Sequence, residues 1–368
     1  MEIKAAVVFE QSGEFSIEQL ELSDPNDDEV LVRIVGAGIC HTDLVARDMH
    51  LPIPPERALP AVFGHEGAGV VEKVGARVTK VKPGDHVVLA WDYCGTCASC
   101  KAGKILYCLN FFLHNFHGAR PDGTTTLRKG DQVIYGNFFS QSSFANFALA
   151  NERNVVKVRD DVALEVLAPM GCGVMTGAGA VINTLQASAG TSIAVFGVGP
   201  VGMSAVLAAV VCGCTTIIAV DVVADRLKKA KEFGATHTIN ASEVDPVEAI
   251  QDVTGGGPNF SLECVGNPAV LRQAVDVLPR LGVCGLLGVV PPGTEVNLDM
   301  DLIMNGRTVK GILGGDAIAD LFIPKLIELY SQGRFPLDGM ITFYPFEEIN
   351  KAVEDMEKGR VIKPVLKL

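Results

Sequence analysis

The first part of the chain, to about residue 150, alternates short apolar runs with clusters of Gly, Pro and Asp. Short runs of β-branched and apolar residues bounded by turn residues are typical of strands. This region is therefore predicted to be β-rich, with strands at 5–9, 29–35, 69–74 and 86–90.

From about Thr191 onward the pattern changes to strand, glycine turn, helix and strand. One apolar run precedes an uncharged helical stretch at 200–212, and the next precedes a helical stretch at 224–233. Alternating strands and helices predict a parallel sheet covered by helices on both faces. We predict strands at 193–196, 216–220, 260–264, 283–287 and 309–313, with a further helix at 268–278.

The last part of the chain shows helical patterns at 318–332 and 345–358 and a final strand at 364–368. We assign it back to the first domain. The prediction is thus an α/β chain in which a β-rich domain, 1–173 completed by 314–368, is interrupted by a doubly wound domain at 174–313. A chain of 368 residues exceeds what one core usually organises, which agrees with two domains.

Composition and charge exclude several classes of partner. Basic residues number 31 and acidic residues 43, and the net charge of −12 disfavours nucleic acids and anionic membranes. The stretch 166–220 has no charged residue, but glycines interrupt it, as in buried parallel strands, so we expect no membrane span. The N-terminus lacks a signal-peptide pattern, which favours a cytoplasmic location.

Gly197, Gly199 and Gly202 form G-x-G-x-x-G between a predicted strand and helix, the fingerprint of a dinucleotide site. The first glycine permits a tight turn, the second close approach of a pyrophosphate, and the third close packing of the helix. Asp221 ends the next strand and is the acid expected on the ribose 2′-hydroxyl. Its charge would repel a 2′-phosphate, so we predict NAD rather than NADP, although Arg226 lies about one helical turn further on.

Four of the ten cysteines, Cys94, Cys97, Cys100 and Cys108, form C-x2-C-x2-C-x7-C. Without a secretory signal this crowding indicates a metal rather than disulfides, and four thiolates suit a structural zinc. An iron–sulfur cluster is the alternative, because the first three cysteines share the bacterial ferredoxin spacing. That motif places its fourth cysteine sooner and follows it with proline, whereas Leu109 follows here.

Three further candidate ligands, Cys40, His65 and Cys172, are dispersed along the chain. Two thiolates and one imidazole leave a fourth position open for water or substrate, as a catalytic zinc requires. Taken alone, these residues also fit buried free cysteines and a turn histidine. Their spacing does not decide between the two interpretations.

Five motifs occur in order: G-I-C-H-T-D at 38–43, G-H-E-x2-G-x5-G at 64–75, the four-cysteine segment, G-C-G at 171–173 and G-V-G-P-V-G at 197–202. With this set the chain resembles the zinc-dependent medium-chain alcohol dehydrogenases, and within them it is similar to bacterial benzyl (aryl) alcohol dehydrogenases. The resemblance implies a GroES-like catalytic domain, a Rossmann domain, and a catalytic zinc on Cys40, His65 and Cys172. It further implies that Glu66 enters the coordination shell transiently and that Asp43 orients His65.

The resemblance also implies the chemistry, in which hydride moves from the carbinol carbon to the nicotinamide and Thr42 accepts the hydroxyl proton. Many relatives pass that proton to a histidine where this chain has Val45, so the usual relay is interrupted. Either water or another base must then complete the transfer. His41 is the nearest candidate for that base, and its alternative role is a contact to the pyrophosphate. The other cofactor contacts that the resemblance implies are Thr176, Arg226, Val265, Val289 and Arg360.

The resemblance places two aromatic residues, Trp91 and Phe144, in the substrate pocket. Such a pocket favours an apolar primary alcohol, and we predict benzyl or aryl alcohols, with an allylic terpenoid alcohol such as geraniol as the alternative. A glutathione-dependent formaldehyde dehydrogenase would need cationic contacts that we do not find. A non-catalytic zinc-binding or redox-sensing relative would be expected to lack some of the ligands. We expect a homo-oligomer, either a dimer or a tetramer.

Overall fold

The fold is described from a computed structural model that covers Met1–Leu368. The chain divides into two compact units. Unit 1 consists of Met1–Cys172, Ile318–Ile327 and Ile341–Leu368, and unit 2 consists of Gly173–Ala317 and Glu328–Met340. The candidate zinc ligands therefore fall in unit 1, and the glycine fingerprint falls in unit 2.

Strands and helices are numbered in chain order. The strands are β1 (Glu2–Val8), β2 (Ser16–Leu22), β3 (Glu29–Gly38), β4 (Ala61–Val62), β5 (Glu66–Val74), β6 (His86–Leu89), β7 (Leu127–Lys129), β8 (Gln132–Ile134), β9 (Phe147–Asn151), β10 (Val155–Lys157), β11 (Ser192–Phe196), β12 (Thr216–Asp221), β13 (His237–Asn240), β14 (Phe260–Glu263), β15 (Val283–Leu286), β16 (Thr308–Gly311), β17 (Ile341–Pro345) and β18 (Lys363–Lys367). The α-helices are α1 (His41–Arg47), α2 (Ala98–Lys101), α3 (Phe111–Asn115), α4 (Leu164–Leu167), α5 (Gly173–Gly179), α6 (Pro200–Cys212), α7 (Ala224–Glu232), α8 (Pro246–Thr254), α9 (Pro268–Asp276), α10 (Met300–Met304), α11 (Ala319–Ser331) and α12 (Ile349–Glu357).

Unit 1 contains two sheets. The first has the strand order β4-β1-β2-β7-β8, and the second has the order β10-β6-β5-β3-β18-β17, with β9 also paired to β3. β3 and β5 are antiparallel, whereas β17 and β18 are parallel. Val30, Val32 and Ile34 of β3 are buried in the core of this unit. The strand ends and the loops between them carry the candidate ligands, since β5 begins directly after His65.

Unit 2 is built on six parallel strands in the order β13-β12-β11-β14-β15-β16. The chain proceeds outward from β11 to β13 and then returns to β14 on the other side of β11, so the strand order reverses between β11 and β14. Open α/β sheets bind ligands at the carboxyl ends of the strands where this reversal occurs. The helix after β11, α6, is buried along most of its length, which explains why it carries no charge.

These sheets confirm the predicted α/β fold with a β-rich domain and a doubly wound domain, and α6 has the predicted bounds. The assignment of 314–368 to the first domain differs in two segments, because residues 314–317 and Glu328–Met340 lie in unit 2. In the second segment Gly339 packs against the Phe233 ring, which lies 2.9 Å from the position of an added Cβ.

No single helix is long and apolar enough to cross a bilayer. Two consecutive helical segments, Leu164–Gly171 and Gly173–Thr184, are together long and apolar enough to span a bilayer, but the chain bends by 60° between them. Leu167, Met170 and Val181 of this pair are fully buried in the protein.

Candidate metal and cofactor sites

Four side chains of unit 1 bring their ligand atoms together at one point. They are Cys40, His65, Glu66 and Cys172, and these atoms all lie within 4.8 Å of one another. His65 Nε2 is 3.2 Å from Cys172 Sγ, and both His65 and Glu66 are fully buried. Two sulfurs, an imidazole nitrogen and a carboxylate are ligands that zinc accepts. The residues present therefore fit a zinc ion.

The local backbone explains why residues so far apart in sequence meet here. Cys40 is the N-cap of α1 and has extended backbone angles, with φ −117° and ψ 153°. His65 follows Gly64, whose φ of +94° suits a glycine. A Cβ at Gly64 would lie 2.5 Å from the backbone nitrogen of Phe144, so a larger residue would push the ligand loop away.

Asp43 holds the imidazole of His65 through its other ring nitrogen. Asp43 Oδ1 lies 2.7 Å from His65 Nδ1, and Oδ2 accepts the backbone N–H of Cys40 at 2.9 Å. Because a carboxylate only accepts, Nδ1 is the donor and Nε2 is left to face the sulfurs. Burial lowers the pKa of His65, but the charge and hydrogen bond of Asp43 outweigh it and raise that pKa to about 10. Asp43 therefore fixes the orientation of this ligand and raises its pKa, and a zinc ion would displace the proton on Nε2.

The two thiols of the cluster titrate as a pair. The hydrogen bond with Cys172 holds the pKa of the Cys40 thiol well below its ordinary value, against the effect of burial. The same hydrogen bond, together with burial, raises the pKa of Cys172 well above that value. The thiolate form is therefore favoured more strongly at Cys40 than at Cys172, and a divalent cation would bind both sulfurs as thiolates.

Lys363 is a buried cation beside this cluster that we did not predict from the sequence. It begins β18 and is 1% exposed, and its Nζ donates to Glu66 Oε2 at 2.8 Å and to the carbonyl oxygen of Ile39 at 2.9 Å. Burial lowers the pKa of Lys363, but the charge of Glu66 raises it to about 12, so the side chain stays positive. The available signal was a lysine directly before the apolar run at 364–366.

Cys94, Cys97, Cys100 and Cys108 form the second cluster, with all four sulfurs within 4.8 Å of one another. The Sγ atoms of Cys94 and Cys100 are 3.9 Å apart, and those of Cys97 and Cys108 are 4.0 Å apart. Backbone N–H groups donate to these sulfurs, as Leu109 does to Cys97 at 3.5 Å. All ten cysteines of the chain are free. A closed set of four thiolates fits a structural zinc.

The glycine fingerprint lies between β11 and α6 in unit 2. Gly197 has a φ of +85°, which glycine adopts without strain. A Cβ at Gly202 would come within 2.0 Å of the Gly197 carbonyl oxygen, so α6 packs this closely only with glycine. Nothing lies within 4 Å of a Cβ position at Gly199. The turn is therefore open at the N-terminus of α6, whose N–H groups suit a pyrophosphate.

Asp221 joins the fingerprint to the loop after β12. Its Oδ2 accepts the N–H of Val198 at 2.8 Å, and its Oδ1 accepts the N–H groups of Val222 at 2.8 Å and Val223 at 3.0 Å. The nearest guanidinium nitrogen of Arg226 lies 4.0 Å from Oδ2. The carboxylate thus organises the turn as well as carrying the negative charge expected at the ribose.

Two valines are exposed in the turns that follow β14 and β15. Val265 is 52% exposed and Val289 is 49% exposed. Val265 Cγ2 lies 2.5 Å from the position of a Cβ at Gly197, which places it against the fingerprint turn. Thr176, on α5, is buried. Exposed apolar side chains at this edge of the sheet fit residues that a dinucleotide covers.

The candidates for proton transfer lie on α1. Thr42 is half-buried, and its Oγ1 is 3.7 Å from Cys40 Sγ. His41 is exposed at the first residue of the helix, and the half-buried Val45 lies about one helical turn after it. The structure therefore keeps the Thr42 hydroxyl beside the metal cluster.

Two predicted site residues lie in other surroundings. Arg360, predicted at the pyrophosphate, is exposed and bonds Asp355 at 2.5 Å and Glu354 at 3.2 Å, so two carboxylates already neutralise it. Phe144, predicted in the substrate pocket, has no exposed surface and packs edge-on against Phe15 with ring centroids 5.7 Å apart. Phe144 is therefore a core residue in this structure.

An aromatic cluster adjoins the metal ligands. Phe139 stacks on His65 with ring centroids 4.5 Å apart and an interplanar angle of 23°. The half-buried Trp91 lies 5.5 Å from Phe139, and Phe111 lies 5.8 Å from Trp91. Phe139 has a φ of +50°, which is unusual for a bulky residue and requires support from the surrounding packing. Trp91 thus belongs to an aromatic group that reaches a candidate zinc ligand.

Comparison with known proteins identifies the class first. A zinc-binding dehydrogenase model matches residues 200–332, and an alcohol dehydrogenase GroES-like domain model matches residues 26–160. The chain is 43% identical to geraniol dehydrogenase of Castellaniella defragrans, across 99% of this chain and 97% of that protein.

Two solved structures resemble the whole chain. An alcohol dehydrogenase zinc-binding domain protein from Burkholderia ambifaria is 50% identical with a TM-score of 0.97, and it covers 100% of this chain and 99% of its own. Benzyl alcohol dehydrogenase from Acinetobacter calcoaceticus is 47% identical with a TM-score of 0.96 and the same coverage. The chain belongs to the zinc-dependent medium-chain alcohol dehydrogenase family. This family uses NAD(P) with a catalytic and a structural zinc, so the predicted family and cofactor classes are confirmed.

Proposed function

We propose that this alcohol dehydrogenase catalyses the reversible NAD-linked oxidation of apolar primary alcohols to aldehydes, with benzyl and other aryl alcohols as its substrates. The aromatic cluster beside His65 is the observation that carries the proposal. The half-buried Trp91 offers a flat apolar surface to an aromatic substrate, and the buried Phe139 supports this ring against the metal ligand His65. The similarity to the benzyl alcohol dehydrogenase of Acinetobacter calcoaceticus supports the same substrate class.

A geraniol-type allylic alcohol is the second candidate. It is favoured by the 43% identity to geraniol dehydrogenase of Castellaniella defragrans. Benzylic and allylic alcohols both carry the hydroxymethyl group on a flat, unsaturated carbon framework, so the Trp91 ring would bind either. Ethanol has no such framework.

Cys40, His65 and Cys172 would hold the catalytic zinc, which when bound acts as a Lewis acid on the alcohol oxygen. Asp43 keeps the His65 ring in the orientation and tautomer that present Nε2. Lys363 holds the carboxylate of Glu66 at 2.8 Å and balances part of the negative charge of the two sulfurs. This chain's own residues therefore prepare the site before substrate binds.

NAD is the proposed cofactor because of the charge at the end of β12. The Asp221 carboxylate is fixed by three backbone N–H groups and would repel a phosphate on the ribose. The Gly197–Gly202 turn would hold the pyrophosphate and Val265 would cover it, while the nicotinamide supplies the hydride acceptor. Rates measured in parallel with NAD and NADP are expected to favour NAD.

The substrate class is tested by comparing kcat/KM for benzyl alcohol, geraniol and ethanol with NAD. We expect benzyl alcohol to exceed ethanol by at least ~10-fold, because burying a phenyl ring is worth about 1.5–3 kcal/mol. A higher value for geraniol than for benzyl alcohol would select the second candidate. A higher value for ethanol than for either would overturn the aromatic substrate class.

Trp91→Ala localises this preference to the aromatic cluster. It is expected to lower kcat/KM for benzyl alcohol by ~5-fold, because an aromatic pair contributes about 1 kcal/mol. The value for ethanol should change little. Phe343→Ala is the matched control, since Phe343 is an exposed aromatic residue on β17 of the same unit. Equal losses for both alcohols in Trp91→Ala would assign Trp91 to packing alone.

For the proton, we propose that the Thr42 hydroxyl accepts it from the alcohol while passing its own proton to water, and that His41 contacts the pyrophosphate. The test is His41→Gln, in which glutamine keeps a hydrogen-bond donor but cannot titrate. This variant is expected to raise KM for NAD. It should leave the pH dependence of kcat unchanged, because in this proposal the proton does not pass through His41. His50→Gln, also at an exposed histidine, is the control. Movement of the kcat profile in His41→Gln would instead make His41 the base that replaces the relay lost at Val45.

The chain is also proposed to form a homo-oligomer of two or four copies. β16 is an outer strand of the unit 2 sheet, and most of its residues are exposed. On α10 nearby in sequence, Met300 and Met304 are largely exposed. An unpaired strand edge and exposed methionines are features that a second copy can cover. Light scattering is expected to give the mass of two or four chains.

A further inference from the structure

Glu263 is a buried carboxylate near the centre of the unit 2 sheet. It is the last residue of β14, directly beside β11 where the strand order reverses, and it is 0% exposed. This is the edge at which open α/β sheets bind their ligands. A charge placed there without access to water requires compensating hydrogen bonds.

One oxygen of Glu263 shapes the turn after β14. Its Oε1 accepts the N–H groups of Val265 at 2.8 Å, Gly266 at 2.7 Å and Asn267 at 3.4 Å. Successive backbone N–H groups converging on one point form a nest for an anion, and here the glutamate side chain fills it. Asn267 then caps α9 by accepting the N–H of Ala269. Glu263 therefore sets the path from strand to helix.

Glu263 also joins this turn to the turn after β15. Its backbone oxygen accepts the N–H of Leu287 at 2.9 Å and that of Gly288 at 3.2 Å. A Cβ at Gly288 would lie 2.5 Å from Glu263 Oε2, and a Cβ at Gly266 would lie 2.4 Å from the carbonyl oxygen of Val289. The two turns are thus packed together with no room for a side chain between them.

The second carboxylate oxygen of Glu263 makes no hydrogen bond that would stabilise the fold. Oε2 is buried and has no hydrogen-bond partner. Buried polar atoms without partners are rare in native proteins and are expected mainly at functional or strained sites. The turns that Glu263 holds carry the two exposed valines, Val265 and Val289, and Val265 lies against Gly197 of the fingerprint.

We propose that Glu263 is a positioning residue for the dinucleotide. Its side chain holds the turn after β14 and so places Val265 at the fingerprint glycine. Gly266 of the same turn packs against Val289, so that the apolar cover of the cofactor is formed before the cofactor binds. Preforming the turns lowers the entropy that binding must remove. This inference rests on the dinucleotide site proposed above.

The test compares Glu263→Ala and Glu263→Gln with the wild-type enzyme loaded with zinc. We expect Glu263→Ala to raise the Kd for NADH, measured by fluorescence, and the KM for NAD by about 10-fold, equivalent to about 1.4 kcal/mol. The kcat, the KM for benzyl alcohol and the zinc content should change little. The Kd of Glu263→Gln for NADH should lie between those of wild type and Glu263→Ala, because the glutamine amide oxygen can still accept the turn N–H groups. Glu263→Gln also carries the test if the alanine variant does not fold.

Ser261→Ala is the matched control. Ser261 lies two residues earlier on β14, faces the same side of the strand, is fully buried, and donates to the Ala274 carbonyl oxygen at 2.6 Å. It should lower the melting temperature without raising the Kd for NADH. The proposal is overturned if Glu263→Ala and Glu263→Gln keep that Kd within about twofold of wild type, or if Ser261→Ala raises it equally. Failure of the wild-type enzyme to bind NADH would instead overturn the cofactor proposal itself.

Discussion

Replacing Cys172 with alanine is expected to leave one zinc per chain and to abolish alcohol oxidation. Cys172 Sγ lies 3.2 Å from His65 Nε2, and without it the cluster keeps only Cys40 and His65 as nitrogen or sulfur ligands. A Lewis-acid metal is worth several kcal/mol in a transition state. Since each 1.36 kcal/mol is about a factor of ten, we expect kcat/KM for benzyl alcohol to fall by ~10³-fold or more. Steady-state kinetics and metal analysis measure the two effects.

Cys284→Ala separates loss of a ligand from loss of a buried thiol. Cys284 is fully buried on β15 in unit 2 and belongs to neither cysteine cluster. Its variant should keep two zinc ions per chain and most of its activity, even where stability falls through the lost packing. If Cys172→Ala kept two zinc ions and wild-type activity, the catalytic metal site proposed here would be wrong.

Features encoded by neighbouring residues could be predicted from the sequence. The fingerprint is one such feature, because Gly197 and Gly202 act through the backbone of a single turn whose shape follows from glycine alone. The four-cysteine segment is another, since its ligands span fifteen positions that one loop can wrap around an ion. The bounds of α6 were predicted for the same reason, with Pro200 at its first position and Gly213 after its end.

Features that depend on strand register could not be predicted in this way. The cation beside Glu66 is Lys363, and Arg360 three residues earlier bonds α12 carboxylates instead. Which of the two reaches the cluster depends on how β18 pairs with β3, where Val365 lies opposite Gly38. A shift of one residue would turn every side chain of β18 to the other face. Apolar pattern alone does not fix that register.

Local packing accounts for two further differences. Phe144 is in the core because Gly64 has no side chain, and the Phe144 ring comes within 2.6 Å of the position of a Cβ there. The helix predicted at 345–358 begins only at Ile349, because Pro345 ends β17 in an extended conformation and a 3₁₀ turn intervenes. Both outcomes depend on contacts that a periodic pattern does not contain.

Loss of the four-cysteine metal is expected to have the second large effect, this time on stability. Cys97→Ala removes one of four sulfurs, so the variant should keep only the catalytic zinc. A structural zinc contributes ~10–16 kcal/mol to folding of isolated zinc-finger peptides at neutral pH. If losing the metal lowers the free energy of global unfolding by only ~4 kcal/mol, the melting temperature falls by roughly 10 °C. Calorimetry, metal analysis and limited proteolysis between residues 94 and 110 measure the change.

Activity at low temperature should survive this substitution, because the effect is confined to one loop. The two clusters share no ligand, and the chain before Cys94 is held by the buried Asp92, whose carboxylate bonds His114 at 2.8 Å and Arg153 at 3.1 Å. Cys97→Ala should therefore lower kcat/KM much less than Cys172→Ala does. Cys214→Ala, at a buried thiol of unit 2, should keep both zinc ions and resist proteolysis in the loop. A Cys97→Ala protein with two zinc ions and an unchanged melting temperature would show that this cluster does not hold a structural metal.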